Sequence, residues 1–126
     1  MKDKPFFADS SIVGDYTPLI RYWELLKKEK RNIDNALLKP SDFKYIEQLI
    51  KEQGRISLAE LLEKLTEYFY DRIDPEIATR ALEEAYNVET ELEHARRIIA
   101  RIMAGWLIEA SNTTGILRLR IPWKRD

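Results

Sequence analysis

One stretch, Ser57 to Phe69, limits the choice of fold more than any other. Ser57-Leu58-Ala59-Glu60 is a capping box: the serine hydroxyl accepts from the amide three residues on, and the glutamate carboxylate reaches back to the serine amide. Behind it, Leu58, Leu61, Leu62, Leu65 and Phe69 recur at i, +3, +4, +7 and +11. This is the period of an amphipathic helix, and a single apolar stripe is stable only when another element covers it. The chain therefore has to supply more helices, or a sheet, to pack on this one.

Further helices are legible on both sides. Thr17-Pro18 opens one, since proline is tolerated at the first helical position, and Leu19, Ile20, Trp23 and Leu26 follow at helical spacing. The run Lys27, Lys28, Glu29, Lys30, Arg31 closes it, and Asn32 to Pro40 reads as a connection. Phe43, Ile46, Leu49 and Ile50 predict a helix over 41–53 that stops at Gly54. Ile56 is left as a lone strand or bridge residue before the helix at 58–70. Asp74-Pro75 opens a helix to Asn87 with Ile77, Ala78, Ala81, Leu82 and Ala85 on one face. Thr90 with Glu93 forms a second capping box, predicting a helix over 90–104 that carries Leu92, Ala95, Ile98, Ile99, Ile102 and Met103 and ends at Gly105.

Beyond Gly105 the apolar period shortens to two, which predicts strands at 106–109 and 116–121 around the polar loop 110–115, with Pro122 ending the pairing. The expected fold is mainly α with a small antiparallel β-hairpin. Residues 1–40 form an N-terminal helical extension and 41–126 the main domain. The stretches ISLAELLEKL at 56–65 and ARRIIARIMAGWLIEASNTTGILRLRIP at 95–122 resemble the winged-helix class of helix-turn-helix domains. The helix at 75–87, placed between the second and third helices, departs from that plan. It is similar in layout to winged-helix domains in the kleisin and accessory subunits of condensin-like complexes. The resemblance implies a recognition helix at 90–104 and a wing at 106–121.

Charge is segregated although the whole chain carries only −1. Residues 1–59 hold 11 basic and 9 acidic side chains, residues 60–94 hold 3 and 11, and residues 95–126 hold 7 and 2. Binding responds to the local field, so the basic end suits a polyanion and the acidic middle suits something else. On the 90–104 helix, Thr90, His94, Arg97 and Arg101 fall opposite the apolar stripe, with Arg96 at its edge. Arginine on such a face pairs with phosphates or guanine edges, and Arg118, Arg120, Lys124 and Arg125 would add phosphate contacts from the wing and beyond. The competing reading has Arg97 and Arg101 in ordinary surface pairs with Glu91, Glu93 and the acidic helix.

These features lead to an expected DNA-binding protein, a dimeric transcriptional regulator of the cytoplasm. It would bind double-stranded DNA, and residues 1–40, whose Phe6, Phe7, Tyr16, Leu19, Ile20, Tyr22 and Trp23 are apolar beyond a tail's needs, would either pack in part onto the domain's own core or form a dimer contact. The alternative is a protein-interaction module of a larger assembly that binds a partner through the acidic 60–94 region. Zero cysteines and one histidine leave no thiolate zinc site, disulfide or conventional nucleophile pair. Glu83-Glu84 and Glu89, Glu91 and Glu93 lack the turn of a calcium loop, and the four glycines stand singly. No catalytic, metal or cofactor site is expected, and no membrane span.

Overall fold

The computed structural model describes residues 15–113. Among them are α1 (Thr17–Lys28), a 3-10 turn (Asp34–Ala36), α2 (Pro40–Gln53), α3 (Leu58–Tyr70), α4 (Pro75–Tyr86) and α5 (Leu92–Thr113), and no strand. The starts of α1 to α4 each have a local cause. Asp15 Oδ1 accepts from the Thr17 amide at 3.0 Å ahead of Pro18. Asp42 turns back on the Lys39 amide at 2.8 Å behind Pro40. The Ser57–Glu60 box closes in both directions, at 3.1 and 3.4 Å. Asp74 Oδ1 accepts from the Glu76 and Ile77 amides. The stops are as specific: Gly54 at φ 76° after α2, and Asn87 in the left-handed region (φ 58°, ψ 42°) after α4.

α5 is the organising element. It packs chiefly on α3 and α4 and also touches α1 and α2, while α1 lies along α4. α1 and α4 run antiparallel, joined by Arg21–Glu84, Arg80–Glu29 and Arg31–Asp74 from one end to the other. Leu19, Tyr22, Leu25 and Leu26 of α1 are buried in the same core as Leu61, Leu65 and Phe69 of α3 and Ile77 and Leu82 of α4.

The first strand of the expected wing is replaced by helix. Gly105 does not end α5, and residues 106–109, read as the first strand, continue the helix to Thr113. The reason is burial. Ile102, Met103, Ala104, Gly105, Leu107, Ile108 and Ser111 are all buried, so this half of α5 is covered nearly all round. A short apolar run buried on every side has no period that separates strand from helix. A glycine's cost of about 1 kcal/mol in a helix is small beside that burial. The second strand, 116–121, lies outside the described residues. With its partner helical, the mainly-α-plus-hairpin, winged-helix fold gives way to a helical bundle built around α5. Two smaller expectations also change. α5 begins at Leu92, one residue later than a Thr90 cap would place it, and Ile56 is buried without joining a strand.

Candidate interaction surfaces

Three places gather polar or apolar groups in a way that merits chemistry. The first is the polar face of α5. Thr90 is half-buried in the connection before the helix, while His94, Arg97 and Arg101 are exposed along it. Arg97 Nη1 is paired with Glu67 Oε2 of α3 at 2.8 Å, and its guanidinium lies 5.2 Å from the centre of the Tyr70 ring. Arg96 is turned inward: its Nε donates to the Tyr70 carbonyl at 2.9 Å and its guanidinium covers the same ring at 4.5 Å. The Glu67 carboxylate, by hydrogen bond and by charge, holds the Arg97 guanidinium above its ordinary pKa, and Glu63 adds to this. α3 thus lays carboxylates beside the basic face. Of the three exposed side chains, Arg101 makes no ion pair with a described residue. Arg118, Arg120, Lys124 and Arg125 lie outside the described residues.

The second place is a buried charge network that sequence reasoning missed. Asp42, with no exposed surface, takes Arg72 in a two-point pair (Nη1–Oδ1 2.7 Å, Nη2–Oδ2 3.2 Å) and accepts from the Tyr68 hydroxyl at 2.6 Å. Arg72 also donates to the carbonyls of Asn35 and Leu37 and lies over the Phe69 ring at 4.7 Å. Tyr68 stacks on Tyr45, with ring centroids 4.1 Å apart. Burial would raise the Asp42 carboxyl, but Arg72, Tyr68 and the Lys39 amide outweigh it and hold it below the usual carboxylate value. Burial and the same carboxylate push the Tyr68 hydroxyl up to about 12. Every member has a partner, so the network locks α2, the 3-10 turn and the end of α3 together and offers nothing to a ligand. Its only signal in the sequence is an arginine and a tyrosine four residues apart at a helix end.

The third place is the corner between α4 and α5. Five large hydrophobic side chains are exposed among the described residues: Ile20, Leu37, Tyr86, Val88 and Leu92. Three of the five fall within this one turn, with Tyr86 46%, Val88 46% and Leu92 49% exposed. Leu92 had been placed on the buried stripe of the helix; it sits in the first turn of α5, outside the packed part. The Tyr86 hydroxyl donates to Asp15 Oδ2 at 2.7 Å, which fixes the ring across the end of α1. Glu83, Glu84, Glu89, Glu91 and Glu93 flank and alternate with these three residues along the chain, all exposed, and no lysine or arginine occurs from residue 81 to 93. Glu84 approaches Arg21 at 3.7 Å, and the other four make no ion pair with a described residue. The sequence holds a visible sign of this corner: apolar residues astride a helix stop inside an all-acidic run.

Among the described residues, no three acidic or histidine side chains converge to hold a metal ion, and no helix is long and apolar enough to cross a membrane. Comparison of the chain with protein-family models, curated proteins and solved structures finds no match in any of the three.

Proposed function

We propose that this protein is a helical protein-interaction module that docks its partner through the α4–α5 corner. The observation that carries the reading is that three of the five exposed large hydrophobic side chains among the described residues fall there. These three residues lie outside the hydrophobic core, and exposed apolar side chains with polar ones beside them are the composition of interaction patches. The corner lies within the acidic 60–94 region, the docking surface that the charge distribution suggests.

DNA binding by the polar face of α5 is the second reading, favoured by Arg101, which is exposed and without an ion pair to a described residue. Against it stand the carboxylates that α3 places beside Arg97. One experiment separates the two. A photo-cross-linking residue is introduced at Val88 or at Arg101 of the full chain, and each protein is offered cell extract and labelled duplex DNA. The expected result is protein adducts from position 88 that vanish when Leu92→Ser is added, and no duplex adduct from position 101. Duplex adducts at 101, lost on Arg97→Glu and restored at low salt, would overturn the interaction reading.

A further inference from the structure

We infer that the partner segment taken up by the α4–α5 corner is a basic peptide that also carries apolar side chains. This rests on the interaction reading above and names the chemistry of its ligand. Three independent features point to it. Tyr86, Val88 and Leu92 present apolar surface about half exposed on one turn, which a purely polar ligand would leave unused. Glu83, Glu89, Glu91 and Glu93, exposed on the same short stretch of chain, have no pairing cation among the described residues. The placement of Glu83 and Glu84 also runs against local helix energetics. They occupy the last turn of α4, where the backbone carbonyls already give a partial negative charge, and that turn holds no basic residue. Glu91 and Glu93 lie at the start of α5, where the dipole favours them, and Glu84 has Arg21 at 3.7 Å, but Glu83 has neither support. Side chains that break a local rule are the ones expected to answer to function.

Charge decides among the possible occupants. Nucleic acid would meet uncompensated carboxylates. A second copy docking by the same corner would set one acidic patch against another, because a twofold contact is self-complementary in position. A basic segment gains on both counts, since its cations meet unpaired carboxylates and its apolar side chains cover the three exposed residues.

The test uses the full chain and two fluorescent probes: a short amphipathic peptide of leucine and lysine, and the same peptide with serine for leucine. Anisotropy is followed at about 50 mM and about 300 mM salt, on either side of the ionic strength at which the screening length is about 8 Å. The expected result is saturable binding of the leucine–lysine peptide that weakens at the higher salt. Val88→Ser with Leu92→Ser should weaken it at least about tenfold, and Glu89→Gln with Glu91→Gln several-fold, with the melting temperature unchanged in both variants. Equal binding of the serine–lysine peptide would reduce the corner to a generic polyanion and overturn the proposal. So would full-strength binding to the Val88/Leu92 variant, or no binding at either salt. Binding that appears only after Arg118→Glu and Arg120→Glu would assign the corner to the chain's own basic end and overturn the assignment to a separate partner. Cross-linking of a protein at position 88 together with failure of the peptide would leave the interaction reading standing and reject only this ligand chemistry.

Discussion

Asp42 shows how a charged side chain can be wholly buried in a small domain. Its carboxylate has lost water on all sides and is held by Arg72, Tyr68 and a main-chain amide. Removing one partner of such a pair costs about 3–5 kcal/mol, because the other is left with an uncompensated charge. Arg72 keeps two carbonyl partners and some solvent exposure, so Asp42→Ala is expected near the lower end, about 3 kcal/mol, in urea denaturation. Tyr68→Phe removes only a hydrogen bond to a charged group and is expected to cost about 1.5–3 kcal/mol. The folded-state carboxyl lies below its unfolded value of about 3.9, so its contribution is present above that pH and disappears as pH falls through the lower, folded value. Asp42→Asn should therefore flatten the acid limb of a stability-against-pH curve. An unchanged limb would show that other carboxylates set it.

At the scale of the element, α5 is where the sequence and the structure part. The helices from 17 to 86 could be placed within about a residue from caps and spacing, because Pro18, Pro40, Ser57, Asp74, Gly54 and Asn87 each act locally. Nothing local decides residues 106–109. Trp-Leu-Ile-Glu after a glycine fits a strand, and only contacts with the rest of the chain make it helical. Trp106 meets Trp23 of α1 edge to face, ring centroids 5.2 Å apart, and the Trp23 indole donates to the Ala36 carbonyl at 2.8 Å. These partners lie some 80 residues away, beyond the reach of any window of periodicity. The helix here predicts a coupling of about 0.5–1.5 kcal/mol between Trp23→Ala and Trp106→Ala in a double-mutant cycle. A coupling near zero would mean the two rings do not meet. Backbone Cα chemical shifts of 106–112 should deviate in the helical direction, and strand-like deviations would restore the hairpin.

Across the whole molecule, the division of charge read from the sequence survives, but its meaning changes. Of the two arginines expected on the exposed face of the helix, Arg97 pairs with Glu67 and so joins α5 to α3, and Arg96, expected at the edge of the apolar stripe, donates to the Tyr70 carbonyl. The acidic block instead contains the stretch, Tyr86 to Leu92, where three of the five exposed large hydrophobic side chains of the described residues lie. Spacing alone does not give that corner: Leu92 falls on the apolar stripe of the helix, and only the tertiary packing leaves it exposed. Arg97 and Glu67 are both about half exposed, and an exposed pair is worth about 0–1 kcal/mol. Arg97→Glu with Arg101→Glu is therefore expected to shift stability by no more than about 1 kcal/mol.

The most direct test of the corner as the working surface is an amide chemical-shift map of the full chain, titrated first with the leucine–lysine peptide and then, separately, with duplex DNA. The interaction account predicts peptide-induced changes concentrated from Tyr86 to Glu93 and no duplex-induced changes at His94, Arg97 or Arg101. Duplex-induced changes centred on those three residues, with a silent corner, would contradict it.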